Sequence, residues 1–291
     1  MGAASDCLVE RPPDADAPGE PTAPHRALER QPPLLAYRLR RRRRPRLWEE
    51  VLFIGLSYVL YSLIRNGVPT HEVGARNRAE ALYGVERALH MDIELAINHA
   101  VASVHWLSLA ADYWYAIAHF VVTLAVLGWL YVRHPLRYRS ARSVLLATNL
   151  IALVGFWDYS LAPPRMLAAH GFVDTVLRDQ IWGSWGTSGM AAASNQYAAM
   201  PSLHIGWALW SGIVVLALAR RRWVRAAGVI YPCTTLLVIL GTANHFLLDA
   251  AGGALALGCG FAISRMVSGR PALAGSAARP VNLPLDRRRP A

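Results

Sequence analysis

His245 and Asp249 stand four residues apart, separated by Phe246, Leu247 and Leu248. On a helix that spacing puts an imidazole and a carboxylate on one face. A carboxylate beside a histidine fixes its tautomer and raises its basicity, as a nucleophile or a general base requires. The same pair would serve equally well to stitch two helices together inside an apolar bundle. Two further stretches carry the residue types that phosphate chemistry uses. Ala162-Pro163-Pro164-Arg165 offers a planar guanidinium fork for phosphate oxygens, or simply a helix terminator whose arginine reaches toward headgroups. Met200-Pro201-Ser202-Leu203-His204 opens an apolar run. There a second histidine suits a general acid and the backbone amides of a helix start attract an anion, while Ser202 and His204 also fit plain capping and interface positions.

The elements that must position these groups read as membrane spans. Of 291 residues, 54% are hydrophobic and only 17% charged, a balance that disfavours a soluble globular chain. Six apolar stretches approach the ~20 residues that a bilayer crossing takes, at roughly 47–65, 111–132, 143–163, 201–219, 226–243 and 245–266. Between the first two, Glu72, Arg76, Glu80, Glu86, Arg87, Asp92 and Glu94 alternate with Leu, Val and Ala at near-helical spacing over 72–108, which predicts amphipathic helices at the interface. The expected fold is all-α: a polytopic membrane helical bundle of about six transmembrane helices with interfacial amphipathic helices. A membrane catalytic domain over 47–267 is flanked by tails, 1–46 and 268–291, whose Pro- and Arg-rich composition predicts disorder. The first 30 residues lack the apolar run of a cleavable signal peptide.

A net charge of +11, carried by arginine with no lysine at all, would ordinarily raise nucleic acid as a partner. Here the arginines flank the apolar runs, so no nucleic acid is expected; the basic excess is that of cytoplasmic loops, in a bacterial cell membrane. Arg38, Arg40 to Arg44 and Arg46 precede the first span, Arg133, Arg137, Arg139 and Arg142 join the second to the third, and Arg220, Arg221, Arg222 and Arg225 join the fourth to the fifth. With six spans these clusters share one side, which makes both termini cytoplasmic. Arg165, Ser202, His204, His245 and Asp249 then fall together at the outer face, on three spans. Ionisable residues at membrane depth are costly and mark functional sites. Cys7, Cys233 and Cys259 have no metal-ligand spacing, and neither a metal nor a cofactor is expected.

Arg165, the Pro201-Ser202-Leu203-His204 tetrad and the His245-Asp249 pair, in this order, resemble the three signature motifs of the type 2 phosphatidic acid phosphatase superfamily over roughly 110–266. The resemblance implies a metal-independent enzyme working through a phosphohistidine. His245 would be the nucleophile, Asp249 its orienting base and His204 the acid that protonates the leaving oxygen. Arg165 and Ser202 would hold phosphate oxygens of a phospholipid or lipid phosphate. The chain departs from the ordinary pattern where Asp158 replaces a lysine, Ile239 an arginine and Leu203 a glycine. In this it looks like the inositol phosphorylceramide synthase branch, whose members transfer a phosphoinositol head group between lipids. Two missing cations better match the single charge of a phosphodiester than the near-double charge of a monoester. The expected substrate is therefore a phosphodiester lipid such as phosphatidylinositol, with water or a lipid alcohol as acceptor; hydrolysis of phosphatidic acid or a polyprenyl phosphate is the alternative.

The 164–200 loop carries Trp182-Gly183-Ser184-Trp185-Gly186 and then Asn195, Gln196 and Tyr197. It reads as an ordinary interfacial loop or as a head-group clamp in which Asn195 and Gln196 hydrogen-bond a polyol. His119, inside the second span, suits helix packing. A different class of function, haem held by two of His119, His204 and His245, would leave Arg165 and Asp249 unexplained. A catalytically dead lipid-binding scaffold would leave the complete set of nucleophile, base, acid and arginine unexplained.

Overall fold

The computed structural model describes residues 45–68, 71–179 and 195–274. The expected disorder of residues 1–44 and 275–291, and the tryptophan-rich stretch 182–186, fall outside these residues. Eight helices carry the fold: α1 (Leu47–Asn66), α2 (Glu72–Ala88), α3 (Glu94–Ala102), α4 (His105–Arg133), α5 (Pro135–Asp158), α6 (Leu203–Leu218), α7 (Arg222–Gly241) and α8 (Leu247–Ser268). No strand is present among the described residues, only an isolated parallel bridge between Leu161 and Ala198. The protein is an all-α polytopic membrane bundle.

Among the described residues five helices, α1, α4, α5, α7 and α8, are long and apolar enough to cross a membrane. The sixth expected span, α6, has 16 residues, about 24 Å at ~1.5 Å per residue. Its shortness has a cause in its place. It packs against α4, α5, α7 and α8, and Ala208, Trp210 and Val214 are fully buried. A helix apolar on every side belongs in the middle of a bundle. The chain enters it through non-helical residues 199–202 rather than by prolonging the helix outward. Other ends differ because helix outlasts hydrophobicity: α5 begins at Pro135, well before the apolar run, since proline suits a first helical turn and the arginine-rich stretch after it is a good helix former. α4 likewise begins at His105.

Polar contacts fix the bundle where apolar packing alone would let it slide. Trp207 Nε1 donates to Asn149 Oδ1 at 2.7 Å and Trp210 Nε1 to the Ala141 carbonyl at 3.0 Å, tying α6 to α5. At the start of α1, buried Glu50 pairs with Arg142 and accepts a hydrogen bond from the Tyr138 hydroxyl at 2.9 Å. The rest of α1 presents Leu52, Leu56, Val59, Leu60 and Leu63 outward, as a lipid-facing helix does. The charge-rich α2 and the short α3 lie outside this set and close the opposite end, with α3 against α7 and α2 against the start of α8.

The closest approach is between α6 and α8. A Cβ on Gly253 would collide with the Ser202 carbonyl, so only glycine admits the chain there. Gly253→Ala is expected to wedge the two helices apart and lower stability by about 1–3 kcal/mol, read as a fall in Tm of the detergent-solubilised protein; an unchanged Tm would mean that the two backbones are not in contact.

Candidate active site

The start of α8 is built by its carboxylate. Phe246 precedes the helix in an extended conformation, and its N–H donates to Asp249 Oδ2 at 3.0 Å, satisfying one of the amide donors that a helix start leaves open. The same carboxylate oxygen lies 3.4 Å from His245 Nδ1. His245 is therefore not on the face of α8 with Asp249, as the four-residue spacing predicts, but in the segment leading into it. The fold-back of Asp249 restores the pairing by another route. The Asp249 carbonyl in turn accepts from Ser202 N at 3.0 Å, which locks the start of α6 to the start of α8.

His204, in the first turn of α6, brings its ring to 5.6 Å from that of His245. One face of His204 stacks on Tyr115 at 4.2 Å and its edge meets His119 at 4.4 Å. Both partners come from α4 where it widens into a π-helical turn over Trp114–Ala118, and His119 Nδ1 lies 3.0 Å from the Tyr115 carbonyl. π-turns of this kind gather at functional sites.

Several buried polar atoms at this junction have no hydrogen-bond partner among the described residues: Ser202 Oγ, both ring nitrogens of His245, and Asp249 Oδ1. Folded proteins pair nearly all such atoms, so a cluster of orphans around one point is a place prepared for a ligand. Arg165 reaches the junction through its main chain, whose N–H donates to the Ala243 carbonyl at 2.9 Å. Its guanidinium pairs with Asp174 at 3.3 Å and donates to Gln196 Oε1 at 3.0 Å. The motif residues His245, Asp249, Ser202, His204 and Arg165, read from widely separated stretches, thus meet at one end of the bundle.

The three residues considered for head-group binding divide. Asn195 is buried, with its carboxamide spent on the Arg65 and Val68 carbonyls and on Tyr197 N, so its side chain positions the loop instead of facing a ligand. The Tyr197 carbonyl accepts from Leu161 N at 2.7 Å, and its ring packs on the cluster around Ala75 and Leu161. Only Gln196 is exposed, beside Arg165.

A family model described as the PAP2 superfamily matches residues 80–263. The chain belongs to the PAP2 superfamily. No curated protein and no solved structure matches it. Membership in the PAP2 superfamily makes this a phosphatase-type lipid enzyme of the membrane and speaks against a haem carrier.

One group of this PAP2 superfamily protein escaped sequence reading. Glu86, on α2, is fully buried and accepts from Leu248 N at 2.6 Å, a second acceptor for the open amides of α8. Its other oxygen and both oxygens of fully buried Glu94 have no donor among the described residues. A proton held on Glu86 and donated to Glu94 satisfies the Glu86 oxygen and one of the two on Glu94. Burial, and then that contact with Glu94, push the Glu86 carboxyl up to about 9, against the Leu248 N–H, which acts the other way. In the sequence Glu86 is one charge among many on an amphipathic helix, and nothing in its spacing marks it.

A carboxyl raised in the folded state binds its proton more tightly there than in the unfolded chain. Its contribution to stability is therefore full below the ordinary carboxyl range, near ~4.3, and is lost as pH rises from there toward about 9. Glu86→Gln should keep the acceptor for Leu248 N and flatten this decline. Thermal unfolding of wild type and variant between pH 6 and about 9 checks it; parallel curves would show that Glu86 is ionised in the native protein.

Proposed function

We propose that the protein is an integral-membrane phosphotransferase or phosphatase acting through a phosphohistidine on a phosphodiester lipid such as phosphatidylinositol. The observation that carries the reading is His245: buried, its Nδ1 directed at Asp249, its ring near that of His204, and its Nε2 without a partner among the described residues. With Nδ1–H facing the carboxylate, the lone pair of Nε2 is the one available for attack on phosphorus. As the N–P bond forms, the bond from phosphorus to the departing glyceride oxygen breaks, and His204 gives that oxygen its proton. A lipid alcohol or water then attacks the phosphohistidine, returns a proton to His204 and frees His245. Arg165, Ser202 Oγ and the amides at the start of α6 would carry the charge of the equatorial oxygens, which is most of what phosphoryl transfer asks of a protein.

The phosphodiester preference rests on Asp158 and Ile239 standing where the ordinary pattern has cations. The Pro-Pro-Arg, Pro-Ser-Leu-His and His245-to-Asp249 combination supports the inositol phosphorylceramide synthase-like branch. The arginine bias supports an orientation with both termini cytoplasmic and this end of the bundle at the outer face.

Membranes given labelled phosphatidylinositol and candidate lipid alcohols should form a new labelled lipid, or release water-soluble phosphoinositol where water is the acceptor. His245→Ala should abolish both, and His204→Ala should slow them on the order of 10²- to 10⁴-fold. Release of phosphate from phosphatidic acid, with every phosphodiester lipid left untouched, would overturn the substrate assignment.

A further inference from the structure

The PAP2 match begins at residue 80, so α1 lies outside it. Yet α1 ends against the site. Arg65 Nη2 donates to the Asn195 carbonyl at 3.0 Å, and Asn195 Nδ2 returns a bond to the Arg65 carbonyl at 3.3 Å. The next residue, Gln196, holds the guanidinium of Arg165. Two guanidinium groups a hundred residues apart in the sequence are thus tethered to adjacent residues of one segment. The charges of both reach Tyr115, the ring stacked on His204, and that of Arg65 reaches His204 as well. Arg165 is partly neutralised by Asp174, whereas no carboxylate among the described residues pairs with Arg65. Half-buried and with donors to spare, it stands on the segment that holds Arg165, and its charge reaches His119 as well.

One turn before Arg65, on the same face of α1, Tyr61 lines a cavity of about 520 Å³ between α1, α4, α5 and α6. Its wall is mostly apolar and includes Tyr58, Phe120, Leu124 and Trp207. Phe120 and Trp207 also pack on His119, so this wall of the cavity backs onto the histidine cluster. Its size lies within the ~300–1,000 Å³ of ordinary ligand sites. An apolar cavity one helical turn from a cation fits a lipid and has no use for free phosphate.

We propose that α1 is the lipid-selecting helix of this site, with Arg65 as the second phosphate-binding cation and the cavity beneath Tyr61 as the seat of one acyl chain. Arg65 would occupy the electrostatic role left open by Asp158 and Ile239. The inference rests on the lipid phosphodiester reading above, and its test separates the two.

The full-length protein in detergent is compared as wild type, Arg65→Gln, Arg65→Lys and Gly55→Leu. A Cβ on Gly55 meets nothing and Gly55 lines the cavity, so leucine there fills space without a clash and favours the helix. Arg65→Gln should raise KM for phosphatidylinositol about tenfold or more, the loss expected for a charge-assisted contact, with kcat changed far less. It should also shrink the Tm increase produced by inorganic phosphate, and Arg65→Lys should recover part of both. Gly55→Leu should raise KM for long-chain over short-chain phosphatidylinositol while the phosphate-induced Tm increase stays as in wild type. A lower basal Tm in Arg65→Gln with KM and phosphate response unchanged would assign Arg65 to loop anchoring alone and overturn the cation role. Equal KM ratios for the two chain lengths in Gly55→Leu and wild type would overturn the acyl-chain seat. A wild type that turns over no phosphodiester lipid, yet shows an Arg65-dependent phosphate response, would keep the anion site and remove the reaction.

Discussion

A fully buried carboxyl group inside an apolar bundle is costly unless hydrogen-bond donors reach it, and the geometry at the start of α8 follows from how Asp249 finds one for Oδ2. The side chain folds back to the Phe246 amide, which draws the preceding His245 alongside it. The backbone carbonyl of the same residue takes the Ser202 amide, so α6 cannot shift along α8 without breaking the bond. Gly253, one turn further along α8, is the condition that lets the two backbones come so near. One residue therefore sets the ring of His245 and, through the main chain, the start of the helix that carries His204.

The remaining contacts add rigidity around that pair. The π-turn of α4 presents Tyr115 and His119 to two sides of His204, so rings hold the imidazole. At the other end of the bundle, Glu50, Tyr138 and Arg142 tie α1 to α5. That anchor matters at a distance, because α1 is otherwise exposed to lipid and its far end, Arg65, is secured by the segment at Asn195.

Much of this was legible in the residue order, for a physical reason. Ionisable groups at membrane depth are so costly that each one present announces itself, and His204, His245, Asp249 and Arg165 were found that way. Apolar runs likewise announce spans, although α5 and α4 begin earlier than their hydrophobicity does, because helix formation does not require apolar residues. The four-residue spacing of His245 and Asp249 led to the right contact by the wrong path, since a helix start and a helix face both bring such residues together. Asn195 looked available as a polar side chain, but amides near helix ends are readily consumed by backbone carbonyls, here those of Arg65 and Val68. Glu86, Tyr115 and Arg65 were not legible. Each acts through a contact made across the fold, and each sits in a stretch where its residue type is unremarked: a charged amphipathic helix, an aromatic-rich span, the end of an apolar helix.

Glu86 also bears on how this end of the bundle treats an anion. Its carboxyl lies within electrostatic reach of Asp249 and touches Glu94, so three ionised carboxylates would gather where His245 stands. Such a cluster would oppose any phosphate approaching the histidines, whatever Arg165 contributed. Burial resolves the conflict by favouring the protonated acid, which still leaves an oxygen free to accept from Leu248 N. At Asp249, by contrast, the Phe246 amide donates to the side chain and the His245 ring lies alongside. Two carboxyls equally hidden from water are thereby given different roles by their neighbours: one is set beside the imidazole, and the other supports the helix start with its charge suppressed.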